Sequence, residues 1–107
     1  MFTVIETKAF IRNMDGVWQD TERQEFINWI AATPDAGDLI VGTGGLRKVR
    51  WSRQGMGKRG GVRVVTYEVR SDGVVWLLIG YTKAKFDNLP TDFLNALKQE
   101  IENDEPH

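Results

Sequence analysis

The feature that most constrains the fold is a pair of strand-like segments joined by a tight turn in the second half of the chain. Residues 62–70 alternate well between two faces, and this alternation places Arg63 and Tyr67 on the same face of a strand. Ser71-Asp72-Gly73 has the composition of a hairpin turn, and residues 74–81 are apolar enough to form a central strand. We therefore predict an antiparallel hairpin within a sheet.

The rest of the pattern adds helices on both sides of this hairpin in the chain. Strand-like runs are residues 2–5, 39–41 and 46–51, and helical patterns are residues 7–14, a segment from Asp20 or Thr21 to Pro34, and residues 90–101. These elements predict an α+β fold in which an antiparallel sheet of about four strands is packed by two N-terminal helices and one C-terminal helix. The length of 107 residues indicates a single domain spanning residues 1–107.

Charge is segregated sharply along the chain. The net charge is -1, yet residues 39–67 contain no acidic residue and seven basic ones, which are Arg47, Lys48, Arg50, Arg53, Lys58, Arg59 and Arg63. A local positive field of this kind suits a polyanion, most often nucleic acid, or a strongly acidic protein partner. A solvated basic face with no dedicated ligand is the competing interpretation.

Part of this charge is predicted to lie on one face of the sheet. Lys48 and Arg50 share a face because side chains two positions apart on a strand point the same way. The expected group is Lys48, Arg50, Arg63 and Tyr67, with Lys83 and Lys85 just past the next strand. Such a group can hold phosphates and stabilise the extra charge of a pentacovalent phosphoryl transition state.

Several other kinds of site are disfavoured. Residues 42–45, Gly-Thr-Gly-Gly, have the composition of a phosphate-binding loop, but a strand follows them instead of a helix, so a tight turn is favoured. The chain has no cysteine, and its one histidine is the terminal His107, so we expect no metal site. No apolar run approaches the roughly 20 residues of a membrane span, and no secretory signal is evident, so we expect a cytoplasmic protein.

Tryptophan side chains permit two interpretations. Trp29 and Trp76 lie within apolar patterns and are predicted to belong to the core. Trp51 ends the basic strand, and it could either join the core or stack on a nucleobase.

The segments 42–50 and 57–67, which contain six of the seven basic residues between positions 39 and 67, resemble the HigB branch of the RelE/ParE toxin superfamily. The likeness extends to residues 77–83 and to Leu89. This superfamily consists of bacterial toxins of type II toxin–antitoxin pairs, and its RelE-like and HigB members are ribosome-dependent endoribonucleases that cut mRNA in the decoding site. The resemblance implies an mRNA-cleaving toxin that inhibits translation. A ParE-like gyrase inhibitor and a noncatalytic nucleic-acid or acidic-protein binding module are the alternatives.

The resemblance also implies roles for individual residues. Lys48 and Arg50 fall where the family has cations on a sheet strand, and Arg63 matches an arginine thought to stabilise the transition state. The implied catalytic residues are Lys48, Arg50, Arg63, Tyr67 and Lys83. The implied RNA- or ribosome-binding residues are Arg47, Arg53, Lys58, Arg59 and Lys85. No metal or organic cofactor is expected, and the expected partners are the ribosome, mRNA and a helix-turn-helix antitoxin whose acidic segment covers the basic face.

Overall fold

The predicted hairpin lies at the centre of the structure, a computed structural model that describes residues 1–52, 61–86 and 88–104. In chain order the elements are β1 (Thr3–Glu6), α1 (Lys8–Met14), α2 (Asp20–Ala32), β2 (Asp38–Leu39), β3 (Leu46–Trp51), β4 (Val62–Val69), a 3₁₀ turn (Arg70–Asp72), β5 (Val74–Thr82) and α3 (Thr91–Asp104). Within the described residues, no helix is both long and apolar enough to cross a membrane.

The sheet has five strands in the order β1-β5-β4-β3-β2. Strands β2 to β5 pair in antiparallel fashion, whereas β1 pairs with β5 in parallel. The predicted α+β class is confirmed, but the sheet is mixed and larger than the expected four antiparallel strands. No short turn joins a parallel pair, so the pairing of the first strand with the last leaves no local signal in the sequence.

Helices cover both faces of the sheet, and each face has its own apolar cluster. On the face covered by α1 and α2, the buried residues are Phe10, Met14, Phe26, Ile30, Val49, Val62, Val64, Val75 and Leu77. On the opposite face, called the α3 face below, they are Leu46, Val65, Leu78, Ile79, Tyr81, Leu94 and Ile101. The two clusters explain why β4 and β5 carry valine, leucine and isoleucine on both sides.

A β-bulge interrupts β5. Leu77 and Ile79 have partners on β4, whereas Leu78 between them has none. Leu78 and Ile79 therefore both point into the α3-face cluster. The hydroxyl oxygen of Thr7 lies 2.9 Å and 2.8 Å from the carbonyl oxygens of Leu77 and Leu78, and it accepts a hydrogen bond from the backbone N–H of Phe10. The residue that caps α1 thus also satisfies the backbone at the bulge.

Element boundaries differ from prediction at three places. Asp20 and Thr21 lie inside α2, and its N-cap is Gln19, whose side chain makes no capping hydrogen bond. The short strand predicted at residues 39–41 is β2, one residue earlier and two residues long. Helix α3 continues beyond the predicted end at residue 101 as far as Asp104.

The tryptophans pack as core residues to different degrees. Trp51 contacts Phe26 and Trp29 with ring centroids 5.3 Å and 5.2 Å apart, on the face covered by α1 and α2. The core interpretation of Trp51 is therefore confirmed. Trp76 packs partly buried against the α3-face cluster. Trp29 keeps 36% of its surface exposed, so the prediction that it belongs to the core is wrong, although its ring packs against Phe26 and Trp51.

Helix α1 packs directly on the backbone of β5 at Gly80. A Cβ atom added to Gly80 would lie 2.6 Å from Met14 Sδ and 3.0 Å from Phe10 Cε1, closer than real Cβ contacts allow. Glycine is required here because the helix leaves no space for a side chain.

We expect Gly80→Ala to lower the free energy of unfolding by about 1–3 kcal/mol through overpacking. Urea unfolding monitored by tryptophan fluorescence measures the change. In a Met14→Ala background the same substitution should cost much less, because the atom that clashes is gone. An equal cost in both backgrounds would contradict the packing argument.

Candidate functional site

Helix α3 covers only part of its face of the sheet. Side chains on this face form three rows of cross-strand neighbours: Leu46–Tyr67–Trp76, Lys48–Val65–Ile79 and Arg50–Arg63–Tyr81. The whole first row, together with Val65 and Ile79 of the second row, belongs to or packs against the apolar cluster beneath α3. In the third row Arg50 is exposed and Arg63 is half-buried, so this end of the sheet is open to solvent.

Arg50 and Arg63 are direct neighbours on β3 and β4. Like charges placed directly opposite each other destabilise a sheet. Among the described residues, ion pairs are formed by Arg23 and Arg70, and neither of the two neighbouring arginines has a carboxylate partner. A negatively charged group bound at this pair would therefore relieve the repulsion between the two arginines.

Two lysines extend this positive group, and we call Lys48, Arg50, Arg63 and Lys83 the cationic cluster. Lys48 lies one row from Arg50 on the same face, and the exposed Lys83 directly follows β5. A cavity of about 320 Å³ is lined by Arg50, Ser52, Gly61, Arg63 and Lys83, together with Trp51 and Val62. A concave site with three converging cations binds anionic oxygen atoms and can stabilise negative charge that develops on phosphate.

Tyr81 belongs to this site, although sequence analysis gave it no role. It is the cross-strand neighbour of Arg63 on β5 and is 2% exposed. Burial raises the pKa of the Tyr81 phenol, and the positive charges of Arg63 and Arg50 oppose that rise only in part. The phenol is therefore protonated at neutral pH and acts as a hydrogen-bond donor.

The bulge at Leu78 explains why Tyr81 was missed. Strict alternation from Trp76 would place residues 78 and 80 on the α3 face and Tyr81 on the opposite one. Because Leu78 and Ile79 both point into the α3-face cluster, the pattern shifts by one residue, and Tyr81 moves to the face of the cations. The spacing of Tyr81 and Lys83, two positions apart at the strand end, is the signal that could have revealed it.

The structure separates Tyr67 from the cationic cluster. The prediction that Tyr67 and Arg63 share a face is confirmed, but they are two rows apart, about 13 Å along the strand. The ammonium nitrogen of Lys98 on α3 lies 5.2 Å from the centre of the Tyr67 ring. Tyr67 thus contacts α3 at the covered end of the sheet, and its catalytic role stays a prediction.

Two of the five predicted RNA-binding residues, Arg47 and Lys85, lie within the described part of the chain, and neither is part of the cationic cluster. Arg47 points to the opposite face from Lys48 and donates a hydrogen bond to the Gly37 carbonyl at 3.1 Å. Lys85 lies 3.4 Å from Asn13 Oδ1 and 5.5 Å from the Phe86 ring centre, on the side of α1. The other three, Arg53, Lys58 and Arg59, lie outside the described residues. Within the described part of the chain, no three His, Cys, Asp or Glu side chains are grouped as a metal site would require.

Comparison with known proteins bears on the fold. No protein-family model matches the sequence. Among solved structures, the chain is similar to a mutant form of the E. coli toxin RelE in the free state, with a TM-score of 0.56 over 92% of this chain and 96% of that one. The two sequences are 12% identical, so the similarity concerns the fold. The RelE-like fold expected from the sequence is confirmed, and placement in the HigB branch stays a prediction.

Repulsion between the neighbouring Arg50 and Arg63 should lower the free energy of unfolding. We expect Arg50→Gln to raise the free energy of unfolding by a few tenths to about 1 kcal/mol in low salt, and the gain should shrink as salt screens the repulsion. Urea unfolding at two ionic strengths measures both effects. Arg12→Gln, which removes an exposed arginine from α1, is the matched control and should show no such gain. A destabilised or salt-independent Arg50→Gln protein would contradict the prediction.

Proposed function

We propose that this protein is the toxin of a type II toxin–antitoxin pair and that it cleaves mRNA bound to the ribosome. The observation that carries the proposal is the row of Arg50, Arg63 and Tyr81 on the open end of the sheet, with two cations that have no carboxylate partner among the described residues. The RelE-like fold supports it, because a solved structure of similar fold is that of a toxin. Phosphate oxygens of RNA supply the charge that the cluster lacks.

The chemistry that suits this cluster is intramolecular attack by RNA on its own backbone. The 2′-oxygen bonds to the adjacent phosphorus and loses its proton to a base, while the bond from phosphorus to the 5′-oxygen breaks and that oxygen gains a proton. The products are a 2′,3′-cyclic phosphate and a free 5′-hydroxyl. This reaction needs added stabilisation of negative charge on the phosphate, which cations held on a rigid sheet provide.

We assign each residue of the site a role in this reaction from its position on the sheet. Arg50 and Arg63, side by side on β3 and β4, stabilise the charge on the pentacovalent phosphate. Lys48 or a ribosomal group accepts the proton of the 2′-hydroxyl, and Lys83 assists departure of the 5′-oxygen. The neutral phenol of Tyr81 donates a hydrogen bond next to Arg63 and helps orient the phosphate.

We expect Arg63→Ala to lower the cleavage rate by roughly 10²–10³-fold, the usual loss when one transition-state donor is removed. Ribosome binding should weaken far less, because the other basic residues still attract backbone phosphates. The measurement is single-turnover cleavage of mRNA on programmed ribosomes at saturating protein. The matched control is Arg12→Ala, an exposed arginine on α1, which should cleave at the wild-type rate.

Three other outcomes of this assay would change the proposal. Wild-type cleavage by Arg63→Ala would show that Arg63 only docks the substrate. Absence of cleavage by the wild-type protein, with inhibition of DNA supercoiling instead, would replace the proposal with a gyrase-directed toxin. Binding to ribosomes or RNA without either activity would indicate a noncatalytic binding module.

A cognate antitoxin is the second partner that the proposal requires. An exposed cationic cluster of this kind is hazardous to the cell that makes it, and an acidic segment that covers Lys48, Arg50 and Arg63 would neutralise it. Charge complementarity makes such an association fast and dependent on salt.

We expect the double variant Arg50→Glu, Arg63→Glu to associate only slowly with an antitoxin encoded by the neighbouring reading frame. Stopped-flow association of the two purified proteins at increasing salt is the measurement. The wild-type rate should fall as salt rises, and the double variant should associate slowly at every ionic strength. An antitoxin that binds both proteins equally would place its contact elsewhere on the fold.

A further inference from the structure

A second cavity of about 320 Å³ adjoins the cationic cluster on the α3 face. It lies between the turn that follows β2, the sheet, and the start of α3. Its polar groups come from Lys48, Tyr81, Asn88 and Thr91, and its apolar wall includes Ile40 and Val41. Lys48 is the single charged residue of its lining within the described part of the chain.

The outer wall of this cavity is held in place by side chains. Thr43 is 2% exposed, and its hydroxyl donates to the Ile40 carbonyl at 2.6 Å and accepts from the Leu46 N–H at 3.2 Å. From α3, Asn95 donates to the Gly42 carbonyl at 3.0 Å, and Lys98 donates to the Thr43 carbonyl at 3.1 Å. The wall is therefore preorganised although residues 42, 44 and 45 are glycines with positive φ.

The lining suits a ligand that combines an apolar surface with a polar edge. Aliphatic side chains offer surface for the faces of a ring, and the Asn88 amide provides a donor and an acceptor for its edge. Tyr81 contributes to the lining, and the Thr91 hydroxyl adds a further hydrogen-bonding group. Unstacked bases of single-stranded RNA are recognised by this combination of apolar surface and edge-directed amides.

The two cavities are lined by neighbouring residues of the sheet. Lys48 lines the second cavity, and Arg50, two positions further along β3, lines the first. Tyr81 lines the second cavity and is the neighbour of Arg63, which lines the first. A nucleotide whose phosphate lies on the cluster can therefore place its base in the second cavity. We infer that this cavity, called the base pocket below, binds a nucleobase of the RNA and selects it through Asn88; the inference rests on the proposed function.

Direct binding tests the base pocket without requiring cleavage. The probes are the four ribonucleoside 5′-monophosphates and inorganic phosphate, added to the full chain labelled with ¹⁵N and followed by NMR. Inorganic phosphate should shift only the amide signals around the cationic cluster, which are those of residues 48–52, 61–63 and 83. Nucleotides should shift these and also the signals of residues 40–45 and 88–91, with unequal affinities for the four bases. A nucleotide response no wider than that of phosphate would overturn the inference.

The variant Asn88→Ala tests whether Asn88 selects the nucleobase. Asn88 is exposed, so the variant should fold, and Asn103→Ala at the other end of α3 is the matched control. In the variant the difference in affinity between the best and worst nucleotide should fall by about tenfold, as expected when an amide that reads a base edge is removed. The control should keep the wild-type ranking. An unchanged ranking in Asn88→Ala would overturn the assignment of Asn88.

Cleavage on ribosomes programmed with randomised codons separates this inference from the proposed function. If the wild-type protein cleaves with a base preference that Asn88→Ala flattens, both are supported. If it cleaves and the preference survives in the variant, the base pocket is overturned while the proposed function stands. If it does not cleave but nucleotides still occupy the pocket, the proposed function fails and the base pocket stands.

Discussion

The architecture depends on the burial of β5 on both of its faces. Val75 and Leu77 pack toward α1 and α2, while Leu78 and Ile79 pack toward α3. A strand buried in this way requires helices on both sides of the sheet, and the chain supplies them from its two ends. Because α3 reaches only part of its face, the ends of β3 and β4 that are far from it remain open, and the cations lie there.

The apolar burial that stabilises this face and the cationic cluster therefore lie at different ends of one sheet. The covered end contributes apolar burial, and the open end carries two neighbouring arginines that repel each other. Placing these arginines on paired strands fixes their separation, which a loop could not do as well. The arrangement trades some folding stability for a positive site that is organised before any anion binds.

The sequence predicted the parts of the site that depend on local periodicity. Alternation along β3 and β4 correctly grouped Lys48 with Arg50 and placed Arg63 on the same side. It could not reveal Tyr81, because the bulge at Leu78 changes the face of every later residue in β5. The glycines before β3 predicted a tight turn, but the parallel partner of β5 and the hydrogen bonds from α3 that hold this turn were beyond reach, since both depend on contacts between residues far apart in the chain.

The pairing of β1 with β5 has a consequence for how the protein is made. Thr3 pairs with Val74 and Glu6 with Leu77, so the first strand to leave the ribosome cannot pair until the last strand has been synthesised. Until β5 has emerged, the N-terminal strand lacks its partner in the sheet, α1 lacks the strand on which it packs, and the row that ends in Tyr81 does not exist. Contacts of such long range form late, because a large loop has to close first. A nascent or prematurely terminated chain therefore carries its basic segment without the row of Arg50, Arg63 and Tyr81, which assembles only after synthesis has passed the final strand.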